Sequence, residues 1–328
     1  MRLLVTGGAG FIGSEYVRNI LQGVYGPAET AVTVLDALTY SGNRANLDPV
    51  ADHSGLTFVH GDICDAELVD GLMSGHDAVV HFAAETHVDR SITGSAAFVR
   101  TNVLGTQVLL DAAYRHGIER FVHVSTDEVY GTIDEGSWTE DWPLAPRSPY
   151  SAAKAGSDLL ALSYFKTHEL DVVVTRCSNN YGHYQFPEKV VPLFVTNLLD
   201  GKKVPLYGDG LNVRDWLHVS DHCLGINLAL EKGRAGEVYH IGGGTELTNR
   251  ELTEMLLAAT GRDWSSVEPV ADRKGHDRRY SLSIEKIRDE LGYEPQVTLA
   301  DGLAATVAWY QENRSWWEPL QAKAALAK

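Results

Sequence analysis

A tyrosine and a lysine stand four residues apart in a segment that starts like a helix. Ser148 and Pro149 favour a helix start, and Tyr150 and Lys154 then fall on one face of that helix. An ammonium beside a phenol favours the phenolate, and the positive end of the helix dipole acts in the same direction. Tyr150 is therefore a candidate base for an alcohol proton near neutral pH, with Lys154 as its partner. Alone, this spacing is a weak signal, because most such pairs are surface coincidences.

A glycine-rich segment strengthens that signal. Gly7, Gly10 and Gly13 have the spacing G-x-x-G-x-x-G between a short apolar run and an apolar helix. Glycine permits positive φ and lets main-chain N–H groups approach a pyrophosphate at the start of the helix. Asp36 closes the second apolar run, where a carboxylate accepts hydrogen bonds from an adenosine ribose and repels a 2′-phosphate. NAD is therefore the predicted cofactor, in preference to NADP.

Further cofactor contacts are expected where other early strands end. Asp62 is predicted to meet the adenine, although a simple turn aspartate fits this position equally well. The predicted cofactor-binding residues are Gly7, Gly10, Phe11, Ile12, Gly13, Asp36, Asp62, Ile63, Ala83, Tyr150 and Lys154. No Cys/His cluster suggests a metal, so none is predicted.

Short β-branched runs alternate with helix-length segments through the first half of the chain. The predicted strands are Arg2–Thr6, Ala31–Asp36, Leu56–His60, Ala78–Ala83, Arg120–Ser125 and Asp171–Arg176. Two predicted helices are Ala96–His116 and Pro149–His168. Such alternation is typical of a parallel sheet covered by helices. We therefore predict an α/β protein with a Rossmann-like, doubly wound parallel sheet.

The pattern changes after Arg176, where glycine, proline and aromatic residues separate shorter helices. This part is expected to form a smaller, mixed α/β C-terminal domain that binds the substrate. Glu237–Ile241 is predicted to be a strand that returns to the main sheet. The expected division is residues 1–178 plus 216–243 for the NAD-binding domain and residues 179–215 plus 244–328 for the substrate domain.

Charge and cysteine usage exclude several kinds of partner. The chain carries 28 Lys and Arg against 44 Asp and Glu, a net charge of −16. Such a chain repels nucleic acid and anionic membrane surfaces, so neither is expected as a partner. Its three cysteines are too widely spaced for a disulfide framework, and no apolar run has the length of a signal peptide or a membrane span. A cytoplasmic location is expected.

Together, these residues resemble the extended short-chain dehydrogenase/reductase family, also called the NAD-dependent epimerase/dehydratase family, over essentially the whole chain. Within that family, Thr126-Asp127-Glu128 looks like the signature of the dTDP-glucose 4,6-dehydratases. Sugar epimerases usually lack this adjacent Asp-Glu pair. The resemblance implies conversion of dTDP-glucose to dTDP-4-keto-6-deoxyglucose and water, in deoxysugar biosynthesis.

The resemblance also implies a role for each of five catalytic residues. Thr126 binds the C4 oxygen, and Tyr150 takes the C4 hydroxyl proton while the C4 hydride passes to NAD. Glu128 removes the C5 proton, Asp127 releases the C6 hydroxyl as water, and the hydride returns to C6 as C5 is reprotonated. Neighbouring carboxyls in a partly dry site separate their pKa values, which leaves one protonated and one ionised. Lys154 also holds the nicotinamide ribose.

By resemblance, the second half supplies most of the groups that hold an anionic sugar nucleotide. Arg214 and Arg273 are expected to clamp the diphosphate, and Tyr207 to stack on the thymine. As a lone aromatic, Tyr207 would more often belong to a core. The substrate-binding residues implied are Thr86, Asn179, Glu188, Lys189, Tyr207, Arg214, Asn249, Arg273 and His276. His87 receives no catalytic role.

The chain departs from the family pattern at positions that carry no catalytic group. Family members often have His at Glu15, Ser at Thr86, Pro at His183 and Pro at Lys274. The resemblance to antibiotic-pathway dehydratases is of low specificity, so the pathway stays open between antibiotic and cell-wall sugars. The helices over 96–116 and 149–168 resemble those that pair in family dimers, which implies a homodimer.

Two other readings of the function stay open. A UDP-sugar 4-epimerase or decarboxylase would share Tyr150, Lys154 and NAD, but it has no use for Asp127 next to Glu128. A non-catalytic protein that binds NAD or a sugar nucleotide needs no base, which the intact Tyr150 argues against.

Overall fold

The structure, a computed structural model, describes residues 1–26, 29–272 and 276–326. Its strands are β1 (Arg2–Thr6), β2 (Ala31–Asp36), β3 (Leu56–His60), β4 (Ala78–His81), β5 (Arg120–Thr126), β6 (Val172–Cys177), β7 (Asn179–Tyr181), β8 (Val204–Tyr207), β9 (Val213–His218), β10 (Val238–Ile241), β11 (Glu246–Thr248) and β12 (Val267–Val270). Its α-helices are α1 (Phe11–Leu21), α2 (Ala66–Met73), α3 (Val88–Thr93), α4 (Ser95–Phe98), α5 (Thr106–His116), α6 (Pro149–His168), α7 (Val190–Leu199), α8 (Val219–Lys232), α9 (Asn249–Ala259), α10 (Glu285–Leu291), α11 (Leu299–Glu312) and α12 (Arg314–Leu326).

The main sheet has seven strands in the order β10-β6-β5-β4-β1-β2-β3, and every pairing is parallel. From β1 the chain winds outward through β2 and β3, then crosses back to β4 on the other side of β1. A crevice therefore opens at the carboxyl ends of β1 and β4, which is where doubly wound sheets bind ligands. The Rossmann-like fold is confirmed, and the strand predicted over Glu237–Ile241 joins the sheet as β10 beside β6.

Helices cover both faces of this sheet because its strands are apolar on both sides. Tyr16 and Val17 of α1 pack with Ile226 of α8 on one face. Val69 of α2 packs with Leu109 of α5 on the other, in a cluster that also contains residues of α6. Two buried layers of this kind fix the positions of the strand ends, and therefore of the loops that carry the site.

One predicted helix is irregular. The segment predicted as Ala96–His116 consists of α4, a π-helical stretch at Val99–Gly105, and α5. Gly105 packs so closely that a Cβ there would lie 2.5 Å from Cδ1 of Ile63. The wider turn lies beside the crevice, and Thr101 lines the cavity described below.

The helix predicted over Pro149–His168 is confirmed as α6. Ser148 accepts the N–H of Ser151, whose side chain bonds back to the main chain of Ser148, and Pro149 occupies the first turn. These two capping hydrogen bonds fix the residue at which α6 begins, and therefore the position of Tyr150 in its first turn.

The remaining elements form a smaller mixed α/β part. It contains the three-stranded sheet β11-β9-β7 and the two-stranded sheet β12-β8. Its own apolar cluster includes Val195 of α7, Leu256 of α9, Leu303 of α11 and Trp317 of α12. None of the helices in the described ranges is long and apolar enough to cross a membrane.

Candidate active site

A cavity of about 370 Å³ lies in the crevice at the carboxyl ends of the parallel strands. The predicted residues that line it are Gly7, Gly10, Phe11, Ile12, Gly13, Asp36, Asp62, Ile63, Ala83, Thr86, Thr126, Asp127, Glu128, Tyr150, Lys154, Asn179, Glu188 and Lys189. The fold thus brings all the predicted cofactor-binding and catalytic residues to one cavity, together with four of the predicted substrate-binding residues.

The glycine segment forms a cradle that no side chain would fit. Gly7 has φ of +71°, and a Cβ there would lie 2.6 Å from the main-chain N of Ala83. A Cβ on Gly13 would lie 2.3 Å from the carbonyl oxygen of Gly7. The cradle sits at the start of α1, where the main-chain N–H groups favour an anion. These residues therefore fit the pyrophosphate of a dinucleotide.

Two carboxylates mark the far end of the cavity. Asp36 is buried, and its two oxygens accept the N–H groups of Ala9 at 2.9 Å and Leu38 at 2.8 Å. Burial raises the pKa of Asp36, and the main-chain hydrogen bonds act against that rise. Asp62 is more exposed: it accepts the N–H of Cys64 at 2.9 Å and contacts Arg100 at 3.3 Å. It therefore closes a turn and also lines the cavity, so both interpretations of Asp62 remain compatible with its position.

The carboxyl pair follows directly where β5 ends. Thr126 caps a short 3₁₀ turn at Asp127–Tyr130, and its hydroxyl accepts the N–H of Glu128 at 3.3 Å. The same hydroxyl donates to Oδ1 of Asp127 at 3.2 Å. Burial, and after it the negative charge of Glu128, raises the pKa of Asp127 well above its usual range. This raised pKa favours the protonated form of Asp127, next to a second carboxyl group.

Tyr150 and Lys154 approach this pair from α6. Both side chains are buried, and Nζ of Lys154 donates to the carbonyl oxygen of Val124 at 2.8 Å. Burial and the charge of Glu128 raise the pKa of Tyr150, although a hydrogen bond with Thr126 acts against that rise. This rise is opposite to the lowering of the Tyr150 pKa that is expected from Lys154 alone. The main reason is burial, which disfavours the charged phenolate, and the charge of Glu128 adds to it, while the Lys154 ammonium donates to the carbonyl of Val124.

Two further polar atoms in the cavity lack partners. Oγ of Ser125 and Oδ1 of Asn179 are buried, and neither has a hydrogen-bond partner within the described ranges. Both residues line the cavity, where a bound ligand can donate hydrogen bonds to these two oxygen atoms. No group of His, Cys, Asp and Glu side chains in the part of the chain that is described is arranged to hold a metal ion.

Several lining residues were not predicted. Cys177, Asn180, Phe186 and Trp216 form part of the cavity wall. They lie on three different strands and one loop that carry no local motif, so the sequence gives no signal for them. Their order in the sheet brings them to the crevice.

Four predicted substrate residues lie outside the cavity. Arg214, on β9, is buried with Nη2 donating to the carbonyl of Asp277 at 2.9 Å, and its charge acts to lower the pKa of Asp127. The rings of Tyr207 and His276 are 6.5 Å apart, and Asn249 begins α9. The fifth, Arg273, lies outside the described residues. Their roles stay predictions.

Fold and site together define a nicotinamide-dependent enzyme of the extended short-chain dehydrogenase/reductase class. The family model described as GDP-mannose 4,6 dehydratase matches residues 4–306. A dTDP-glucose 4,6-dehydratase of Streptomyces antibioticus is 67% identical over 327 residues, which cover 99% of this chain and 97% of that protein. The chain belongs to the sugar-nucleotide 4,6-dehydratase family, in the branch of the dTDP-glucose 4,6-dehydratases.

Solved structures agree with this assignment. The dTDP-glucose 4,6-dehydratase from Streptomyces venezuelae, crystallised with NAD and TYD bound, superposes with a TM-score of 0.96 and is 67% identical, covering 98% of this chain and 100% of that one. The UDP-glucose 4-epimerase from Thermotoga maritima, with UDP-glucose, superposes with a TM-score of 0.87 at 34% identity, covering 96% and 100%. The fold is therefore shared with epimerases, and the identity is much higher to dehydratases.

Proposed function

We propose that this protein is an NAD-dependent dTDP-glucose 4,6-dehydratase, which converts dTDP-glucose to dTDP-4-keto-6-deoxyglucose and water. The observation that carries the proposal is the buried Asp127 beside Glu128, with its pKa raised, in the same cavity as Tyr150, Lys154 and the glycine cradle. An oxidation alone needs no acid of this kind, whereas loss of a hydroxyl group does.

The residues of the cavity fit NAD. The cradle of Gly7, Gly10 and Gly13 accommodates the pyrophosphate, Asp36 accepts from the adenosine ribose, and Lys154 holds the nicotinamide ribose. When bound, NAD supplies a hydride acceptor that is restored in the same turnover, together with a positively charged ring. A positive charge in this cavity acts to lower the pKa of Tyr150, which burial and then the charge of Glu128 raise in the protein alone.

Tyr150 and Thr126 act on the C4 hydroxyl group. The hydrogen bond between their side chains places the two oxygens side by side, so that both can contact one substrate oxygen. Tyr150 accepts the hydroxyl proton, and Thr126 donates a hydrogen bond to the C4 oxygen as it becomes a carbonyl. Because Tyr150 is buried, bulk water does not compete for this proton.

Asp127 and Glu128 perform the elimination. Once C4 is a carbonyl, the C5 proton is acidic, and the Glu128 carboxylate removes it. The buried, protonated Asp127 gives its proton to the C6 hydroxyl, which leaves as water. The two adjacent carboxyls have different protonation states because one is buried beside the charge of the other.

The nucleotide end of the substrate is assigned to the smaller part of the fold. We propose that Arg214, Arg273 and His276 hold the diphosphate, that Asn249 supports them, and that Tyr207 stacks on the base. Thr86, Asn179, Glu188 and Lys189, which line the cavity, are proposed to bind the sugar. The 38% exposure of Tyr207 supports a stacking role, since a core aromatic would be buried.

We further propose a homodimer and a cytoplasmic location. Val99 and Leu104, on the π-helical stretch before α5, are 53% and 45% exposed, and Leu159 of α6 is 60% exposed. Apolar side chains clustered on neighbouring helices support an interface with a second copy. Light scattering after size exclusion tests this: twice the chain mass is expected, and Leu104→Arg should shift the protein to monomer. The three cysteines are free thiols, and this supports the location of the protein in a reducing compartment such as the cytoplasm.

Mass spectrometry of the reaction separates the proposed function from its relatives. The purified protein should convert dTDP-glucose to a product lighter by one water, and Glu128→Gln should abolish this loss. A product of unchanged mass that is the C4 epimer would identify an epimerase instead.

A further inference from the structure

One side of the cavity is closed by residues 183–189, which connect β7 to α7. We call this stretch the closing segment. Four of its residues, Gln185, Phe186, Glu188 and Lys189, line the same cavity as the glycine cradle. A dinucleotide held by the cradle therefore shares the cavity with the closing segment.

Glu188 fastens the closing segment to the start of α3. Its side chain is 6% exposed and lies 3.4 Å from Nη2 of Arg90 and 3.6 Å from Nε2 of His87. Nδ1 of His87 accepts the main-chain N–H of Arg90, which leaves the Nε2 hydrogen for Glu188. Glu188 thus has a cationic partner and a neutral donor, both from the segment that follows β4.

Arg90 continues the connection to the loop after β2. Its guanidinium carbon lies 3.7 Å from the centre of the Tyr40 ring, and the edge of that ring packs on Phe186 at 5.7 Å. The neighbours of Tyr40 in sequence, Thr39 and Ser41, line the cavity near Asp36. Arg90 is therefore shared between the closing segment and the loop at the adenosine end.

The other end of the closing segment is fastened to α1. Nε2 of His183 lies 3.0 Å from Oε2 of Glu15, whose carboxylate also pairs with Arg18, and Arg18 stacks at 4.3 Å on Tyr184. Glu15 and His183 are two positions at which the chain departs from the family pattern, and the fold places them in contact. The closing segment is therefore attached to each of the elements that shape the dinucleotide site.

We propose that Arg90 is a positioning residue that, through Glu188 and Tyr40, fastens the closing segment over the bound cofactor and retains NAD between turnovers. The inference rests on the proposed function, because a cofactor restored in every turnover has no need to leave. Moving the closing segment away from the loops after β2 and β4 would break the contact of Glu188 with Arg90 or that of Arg90 with the Tyr40 ring. Both contacts are partly desolvated, since the Arg90 side chain is 24% exposed and Glu188 is 6% exposed.

The rate of NAD release from the holoenzyme tests this role. Protein loaded with radiolabelled NAD is chased with unlabelled NAD, and the label retained is followed over time. Arg90→Ala and Tyr40→Leu should each release NAD about tenfold faster than the unaltered protein, the size expected for loss of a desolvated cation–π contact or charge-assisted hydrogen bond. Arg90→Lys, which keeps the charge, should recover part of the retention.

A matched control separates retention from general loosening. Arg288 forms an exposed ion pair with Glu294 at 2.8 Å on α10, so Arg288→Ala should release NAD within twofold of the unaltered rate. If Arg90→Ala releases NAD within twofold of the rate of the unaltered protein, the role of Arg90 is overturned. If Arg90→Ala does not fold, the same criterion applies to Tyr40→Leu. An unaltered protein that holds no NAD at all would instead overturn the proposed function.

Discussion

Replacing Asp127 by asparagine separates its chemistry from its place in the fold. Asp127 is 2% exposed, and burial together with the charge of Glu128 raises its pKa well above the usual range, which favours the neutral, protonated carboxyl. Asparagine has nearly the same shape and is also neutral, but it has no acidic proton for the C6 hydroxyl. The substitution therefore removes the acid while it leaves charge and packing almost unchanged.

The structure sets the size of both effects. A positioned general acid contributes about 10²- to 10⁴-fold in rate, and bulk water does not reach a side chain this deeply buried, so kcat of Asp127→Asn should fall by about 10³-fold. The free energy of unfolding at pH 7 should stay equal or increase, because Asp127 ionises in the unfolded chain and an asparagine does not. Asp134→Asn, at an exposed position, is the control and should leave both quantities unchanged.

The pH dependence of stability gives a second readout. A group whose pKa is raised by folding stabilises the fold fully below its unfolded value of about 3.8, and this contribution is lost as the pH rises through the folded value. Asparagine does not titrate. The melting temperature of Asp127→Asn relative to the unaltered protein should therefore increase as the pH is raised.

Two assays decide the outcome. Loss of water from dTDP-glucose is followed by mass spectrometry, and the free energy of unfolding is measured by urea denaturation. A kcat within tenfold of the unaltered value would refute the role of Asp127 as the acid. A loss of more than about 2 kcal/mol of stability at pH 7 would show that the side chain is ionised in the native protein.

Four more substitutions test other parts of the molecule. Gly13→Ala places a Cβ 2.3 Å from the carbonyl oxygen of Gly7, so the purified protein should carry at least about tenfold less NAD by chromatography of its nucleotide extract; normal content would contradict the cradle. Asp36→Ala should reduce the preference for NAD over NADP by about tenfold or more in equilibrium binding, and an unchanged preference would remove Asp36 from the ribose site. Burial acts to raise the pKa of Glu15, but His183 and other partners outweigh it and lower this pKa to about 2. Glu15→Gln should therefore cost on the order of 3 kcal/mol at pH 7 by urea denaturation, and the cost should shrink as the pH falls from 4.5 towards 2. His183→Asn should be non-additive with it, whereas additive losses would show that the pair does not interact.

Local sequence signals were enough to predict the elements that carry the chemistry. Helix α6 begins where Ser148 and Pro149 predict, because capping depends on residues within one turn. The glycine spacing predicts the cradle for a similar reason, since a turn with positive φ at Gly7 leaves few alternatives. Alternation of apolar runs with helices predicts the parallel sheet, because only helices on both faces can bury such strands.

What the sequence did not predict depends on contacts between distant segments. The raised pKa of Tyr150 arises because the fold buries the phenol and brings Glu128 next to it, whereas the helix alone contains only Lys154. The contact of Arg90 with Tyr40 joins loops that follow two different strands, and no spacing in the chain encodes it. The end of β4 at His81 instead of Ala83 has a similar origin, because the chain turns there to follow the wall of the cavity.

The central claim is that this cavity carries out oxidation, elimination and reduction in a single turnover with its own NAD. The most direct test is to incubate the purified protein with dTDP-glucose in D₂O without added NAD, alongside UDP-glucose, and to analyse the products by mass spectrometry and NMR. The account predicts a 4-keto-6-deoxy product from dTDP-glucose that has lost one water and carries deuterium at C5. Unchanged dTDP-glucose, or only its C4 epimer, would contradict it.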